Sequence, residues 1–265
     1  MQTERRVVLV TGASSGIGRA CAEAFAREGF LVWGLSRSGG APVGAEAVSA
    51  DITDPESVSS AVLKIVDAAG RLDILVNCAG SGISGAAEFT SPKSAASQMN
   101  VNLIGTANVC REAIPHLRKS RGAIINISSV AGEMPIPFQA WYSASKAALN
   151  SYSAALANEL RPFGIRVCAL MPGDIKTGFT AARTKCPEGD EIYRGRISRS
   201  VSKMERDEQN GMSPDAVAKK VLLLSKRKRL PPTATVGIGY SLLVFAGRLL
   251  PQRLVNAVLY SLYAK

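Results

Sequence analysis

Val7-Val8-Leu9-Val10-Thr11-Gly12-Ala13-Ser14-Ser15-Gly16-Ile17-Gly18 is the stretch on which the fold turns. Four apolar residues, three of them β-branched, read as a short buried strand. From Gly16 to Glu28 the apolar residues Ile17, Ala20, Cys21, Ala24 and Phe25 recur at helical spacing, and Gly29 ends the run. The order is therefore strand, glycine turn, helix. Gly12 permits the tight turn, Gly16 lets backbone approach a pyrophosphate, and Gly18 lets the helix pack close to the sheet. The helix N-terminus adds unpaired N–H groups and a partial positive charge. The spacing G-x-x-x-G-x-G differs from the G-x-G-x-x-G fingerprint. Its placement between strand and helix is what gives it weight.

The alternation continues outward. Phe30–Leu35, Val48–Ala50, Asp73–Val76, Ala123–Ile127 and Ile165–Leu170 read as further strands, with Thr233–Ile238 as a last one. Asp54-Pro55 opens a helix with an N-cap and a first-turn proline. Pro92–Lys119 reads as one long helical stretch, Trp141–Leu160 as another, and Ser213-Pro214-Asp215 caps a helix running to about Ser225. Short apolar strands alternating with helices predict an α/β fold, a parallel sheet covered on both faces. Such sheets bind ligands beyond the carboxyl ends of their strands, where the strand order switches. No linker divides the chain. Residues 1–238 read as one domain and 239–265 as an apolar C-terminal extension. Gly178–Gly211 is polar, charged and long for a connection, so it is the expected substrate lid.

The 265 residues are 46% hydrophobic and 20% charged, an ordinary folded composition that excludes a disordered chain. Five scattered Cys and a single His, His116, exclude a His/Cys zinc site of usual spacing, so no metal is expected. The unpaired Cys point to a reducing compartment, and no signal-peptide pattern opens the chain, so a cytoplasmic location is expected. Leu230–Gly247 falls short of a spanning helix and carries Pro231 and Pro232. The net charge of +11 is uneven: residues 1–174 hold 15 Lys and Arg against 14 Asp and Glu, residues 175–265 hold 17 against 7.

After the second strand stand Ser36-Arg37-Ser38, with no acidic residue to accept both ribose hydroxyls. Arg37 can instead pair with a 2′-phosphate, which favours NADP(H) over NAD(H). Tyr142-Ser143-Ala144-Ser145-Lys146 puts a phenol and an ammonium at i and i+4 on one helix face. An unperturbed phenol, with a pKa of about 10, is a poor proton carrier at neutral pH; a nearby cation lowers that value. Alone, the pair reads as a helix surface.

With Asn77-Cys78-Ala79-Gly80, Asn102, Ser129 and Pro172-Gly173 followed by Thr177, the set from Val7 to Thr177 resembles the short-chain dehydrogenase/reductase family. The resemblance implies a doubly wound Rossmann fold and a catalytic group of Asn102, Ser129, Tyr142 and Lys146. Tyr142 would be the general acid/base, and Lys146 would tune it and bond the nicotinamide ribose. Ser129, rather than its neighbour Ser128, would orient the substrate oxygen, and Asn102 would hold a water of the proton relay. It further implies cofactor contacts from Gly12, Ser14, Ser15, Gly16, Ile17, Gly18, Arg37, Asp51, Ile52, Asn77, Ala79, Gly80, Pro172, Gly173, Ile175 and Thr177, besides Tyr142 and Lys146. Cys78 replaces the commoner Asn of its motif.

The expected activity is NADP(H)-dependent interconversion of a ketone and a secondary alcohol on a hydrophobic, steroid- or lipid-like substrate. A 3-ketoacyl carrier-protein reductase and a non-catalytic NADP(H) sensor are the alternatives. The tail beyond Ile238, apolar on most faces, follows the basic run Lys226-Arg227-Lys228-Arg229. Packing in a homodimer or homotetramer is its plain reading, and peripheral contact with an anionic membrane is the second. The basic run has no interleaved aromatics, so nucleic acid is not an expected partner.

Overall fold

The computed structural model describes residues 5–265. Among them a seven-stranded, wholly parallel sheet forms the centre. Its strands are β1 (Val7–Thr11), β2 (Leu31–Ser36), β3 (Ala45–Ser49), β4 (Ile74–Asn77), β6 (Ala123–Ile127), β7 (Arg166–Met171) and β9 (Thr233–Thr235). They stand in the order β3-β2-β1-β4-β6-β7-β9. The order reverses between β1 and β4, which opens a crevice at their carboxyl ends. Two short strands, β5 (Ile83–Gly85) and β8 (Thr184–Cys186), pair in a small sheet of their own.

The pleat sorts the strand residues. Val7 and Leu9 of β1, Leu75 of β4 and Val167 of β7 face one core, shared with α2 (Pro55–Ala69), α4 (Thr106–Ser120) and α5 (Ala140–Leu160). Val8, Val10, Ile74, Val76 and Cys168 face the other, shared with α1 (Gly16–Arg27) and α8 (Pro214–Ser225). Residues one apart point to opposite faces, so runs apolar throughout are what a doubly covered sheet needs. The expected α/β fold, a doubly wound parallel sheet in a single domain, is present.

Three segments differ from the sequence reading. The long helix expected over Pro92–Lys119 is α3 (Pro92–Met99) and α4, joined by a wide π-helical turn at Asn100–Gly105. The last strand stops at Thr235, because Gly237 takes a left-handed φ of +84° and α9 (Ile238–Leu249) begins directly after it. The stretch 178–211 is ordered secondary structure rather than open loop: α6 (Phe179–Ala182), β8 and α7 (Arg196–Gln209). Ile197 and Val201 of α7 bury against Ala86, Phe89 and Phe138.

After α9 comes α10 (Gln252–Tyr263). Val244, Val255 and Leu259 of this pair pack on Met134 and Met171. The Tyr240 ring fills the space over Gly173, and its hydroxyl donates to Asp174 Oδ2 at 2.6 Å.

Candidate active site

The crevice is a cleft of about 1200 Å³ along the carboxyl edge of the sheet. Gly12 starts the turn at φ +68°, with its N–H on Leu35 O at 2.8 Å. A Cβ there would lie 2.9 Å from Ala79 N, so only glycine lets the loop after β4 come this close. Thr11 Oγ1 accepts from the N–H groups of Cys78 and Ala79, both at 3.1 Å, and ties the two loops together. Gly16 also has a positive φ and faces Thr177.

Helix α1 begins uncapped. Ser15 makes no side-chain cap and the first turn holds no acidic residue. Ser14, Ser15, Gly16 and Ile17 at this end line the cleft, and the first N–H groups of a helix have no intrahelical acceptor. A pyrophosphate fits this cradle: the glycines leave it open and the helix end lacks an anion. Arg37 is exposed at the cleft wall beside Asp51 and Ile52. Asp51 accepts from Thr53 N at 2.9 Å and Thr53 Oγ1 at 2.7 Å; these bonds, then the nearby Arg37 charge, lower its carboxyl pKa.

Tyr142 and Lys146 lie on α5, and Ser129 ends the loop after β6. All three line the cleft. Ser128 Oγ turns inward and donates to Lys146 O at 3.1 Å, whereas the Ser129 hydroxyl acts on the Tyr142 phenol and favours its ionised form. The two neighbouring serines thus have different surroundings. Lys146 Nζ donates to Ile127 O at 2.9 Å and lies 5.8 Å from the centre of the Tyr142 ring. Burial pulls the Lys146 pKa down to about 8.

The phenol departs from expectation. Burial outweighs the Ser129 hydrogen bond and the Arg183 charge, and raises the Tyr142 pKa, with Glu208 and Asp174 adding to the rise.

Asn102 sits in the π-helical turn and is fully buried. Its Nδ2 donates to Ser81 O and Ser145 Oγ, both at 3.0 Å, and its Oδ1 accepts from Ser81 N at 2.8 Å. It braces the loop after β4 rather than lining the cleft. Asn77 is likewise turned away: its Nδ2 donates to Asn126 Oδ1 at 2.9 Å, and the cleft is lined by Cys78, Ala79 and Gly80 instead. Pro172, Gly173, Ile175 and Thr177 line the far wall.

Four residues of this region escaped the sequence reading as site residues: Asp174, Arg183, Glu208 and Tyr240. Asp174 and Glu208 line the cleft. Arg183 pairs with Glu208 Oε1, and its guanidinium lies 5.7 Å from the Phe179 ring, which itself lies 5.8 Å from the Tyr142 ring. No linear spacing announces these partners. Among the described residues no group of His, Cys, Asp and Glu is placed to hold a metal.

Comparison with known proteins agrees with this geometry. The 3-ketodihydrosphingosine reductase of Bacteroides thetaiotaomicron is 41% identical over 236 residues, covering 88% of each chain. The NADPH-dependent 1-acyldihydroxyacetone phosphate reductase of Saccharomyces cerevisiae is 32% identical over 237 residues, covering 82% of this chain and 77% of that one. The crystal structure of a short-chain dehydrogenase from Streptomyces avermitilis superposes with a TM-score of 0.84 at 32% identity, covering 98% and 97%. The short chain dehydrogenase family model matches residues 6–187. A glycine turn uncapped for an anion, with a serine, a phenol and an ammonium at the same sheet edge, thus comes with sequence kinship along most of the chain, and the chain belongs to the short-chain dehydrogenase/reductase family of oxidoreductases.

Proposed function

We propose that this oxidoreductase reduces the ketone of a long-chain lipid with NADPH, the ketone of 3-ketodihydrosphingosine being its leading substrate. The observation that carries the reading is the Ser129–Tyr142–Lys146 group at the cleft end of α5. The Gly12–Gly18 turn, Thr177 and Lys146 would hold the dinucleotide, which would supply hydride when bound. Ser129 and Tyr142 bond the carbonyl oxygen as negative charge grows on it, and the Tyr142 hydroxyl gives that oxygen its proton. Asn102 acts through the loop it braces.

Two relatives with lipid ketones as substrates favour the lipid over the steroid. The test is NADPH consumption with 3-ketodihydrosphingosine, 1-acyldihydroxyacetone phosphate, a steroid ketone and an acyl-thioester ketone. The sphingoid ketone is expected to give the highest kcat/KM. A thioester turned over faster would favour the carrier-protein reductase, and no turnover of any ketone would favour the sensor.

For the cofactor, Arg37 at the cleft wall supports NADP(H). A charge-assisted pair of about 1.5–3 kcal/mol corresponds to about 10- to 100-fold in affinity. Arg37→Ala is expected to raise the KM for NADPH by that factor and to leave the KM for NADH within about threefold. Equal effects on both would remove the 2′-phosphate assignment.

The C-terminal pair supports contact with an anionic membrane. Ile238, Leu242, Phe245 and Leu249 of α9 are 82%, 64%, 61% and 70% exposed. From Ala216 to Lys265 the chain has nine Lys and Arg and no Asp or Glu. Exposed apolar side chains on a stretch of net positive charge suit anionic headgroups. Among the described residues no helix is long and apolar enough to cross a membrane. Phe245→Asp with Leu249→Asp is expected to reduce sedimentation with phosphatidylglycerol vesicles at least about fivefold, each aspartate repelling the surface. An unchanged bound fraction, or a split oligomer instead, would make the face a subunit interface.

A further inference from the structure

We propose that Tyr240 is a positioning residue: reaching in from the C-terminal extension, it fixes the Gly173–Asp174 wall along which the nicotinamide half of the dinucleotide would lie. The inference rests on the reading of the cleft as a dinucleotide site and deepens it.

Residues 172–177 run from the reactive end of the cleft to the glycine turn. At the start, Pro172 O accepts from Val130 N at 3.0 Å, one residue beyond Ser129. At the end, Thr177 faces Gly16, where an added Cβ would stand 3.6 Å from Thr177 Cβ. A dinucleotide with its pyrophosphate on the glycine turn and its reactive ring beside Ser129 and Tyr142 must pass along this stretch. Part of it has a backbone partner in Met212: Asp174 O accepts from Met212 N at 3.0 Å, and Lys176 N donates to Met212 O at 2.9 Å. Gly173 and the Asp174 N–H lie outside that pairing, and Gly173 has no side chain to hold it.

Tyr240 holds this remaining part. Its ring covers Gly173, where a Cβ would collide with Tyr240 Cζ. Its hydroxyl accepts from Asp174 N at 3.0 Å and donates to Asp174 Oδ2 at 2.6 Å, gripping the backbone and the side chain of one residue. Burial, then the bond to Asp174, pushes the Tyr240 pKa up to about 12, so the hydroxyl keeps its proton at neutral pH. Gly173 and Asp174 line the cleft and Tyr240 does not, so it acts from behind the wall.

The helix that carries Tyr240 is seated on the other loop of the reactive end as well. Val244 of α9 packs with Met134 and Met171, and Arg248 Nε and Nη2 donate to Glu133 at 3.2 and 2.8 Å. Glu133 and Met134 directly follow the short helical turn Val130–Gly132, which Ser129 caps. One helix of the extension thus rests on both the Ser129 loop and the Gly173–Asp174 wall.

The test is fluorescence titration of the parent and of Tyr240→Phe, which keeps the ring and removes the hydroxyl. Two ligands are compared: NADPH, and 2′-phospho-ADP-ribose, which lacks the nicotinamide. Tyr240→Phe is expected to weaken NADPH about tenfold, the scale of one or two lost hydrogen bonds, and to leave the fragment within about twofold. The fragment is also the control for folding, since a damaged cleft would lose both. Equal weakening of the two, an NADPH shift below about threefold, or a parent that holds both ligands equally overturns the assignment. A parent that binds both but reduces no ketone removes the reductase reading and leaves Tyr240 its role. A parent that binds neither removes the dinucleotide site and this inference with it.

Discussion

Tyr142→Phe is expected to lower kcat for ketone reduction about 10³-fold, within the range for loss of a positioned general acid. The change removes one hydroxyl and little else. The ring keeps its contact with Phe179, and Ser129 keeps its bond from the Ala131 N–H at 3.1 Å. Dinucleotide affinity should stay within about tenfold, because the glycine turn, Arg37 and Lys146 are untouched and one hydroxyl to a neutral partner is worth only about 0.5–1.5 kcal/mol. Single-turnover NADPH oxidation and fluorescence titration of the dinucleotide read the two quantities separately. A residual rate within tenfold of the parent would show that the proton comes from elsewhere.

The second large effect lies in the glycine turn. A Cβ on Gly18 would stand 2.2 Å from Gly12 O, 2.6 Å from Gly12 C and 3.0 Å from Thr11 O. All three are backbone atoms and cannot swing aside. Gly12 is itself pinned, by its bond to Leu35 O and by Ala79 close against it. Gly18→Ala must therefore push α1 off the sheet. We expect a loss of about 3 kcal/mol in urea unfolding, at the upper end for overpacking, and dinucleotide affinity lowered at least about 100-fold as the cradle opens. Gly178→Ala is the control: nothing lies within 4 Å of its added methyl group, so stability should stay within about 0.5 kcal/mol. An unchanged midpoint for Gly18→Ala would mean that the turn is not as tight as drawn.

What could be read in advance was what repeats locally. The β1–turn–α1 unit, the Tyr142–Lys146 helical spacing and the alternation of strand with helix depend on neighbours a few residues apart, and periodicity reports those. What stayed hidden depends on meetings across the chain. Asp174 meets Tyr240 across 66 positions, Asn102 meets Ser145 across 43, and Glu208 meets Arg183 across 25. No composition or spacing foretells them. The upward shift of the Tyr142 pKa has the same origin: burial is its first cause, and the carboxylates of Glu208 and Asp174, brought in from distant positions, add to it. The lid stretch read as a long polar connection because its apolar residues are sparse, yet Ile197, Val201 and Met204 on one face of α7 sufficed to seat it.

The wide turn at Asn100–Gly105 makes chain length itself a constraint. A π-helical turn takes in more residues than an α-helical one. That surplus lets α3 and α4 follow one another while Asn102 faces inward onto Ser81 and Ser145. Deleting a single residue here, whichever one it was, would let a regular helix close over the gap and rotate everything upstream by about 100°. A change of side chain along this stretch leaves the register of α3 and α4 intact, whereas the gain or loss of one position does not.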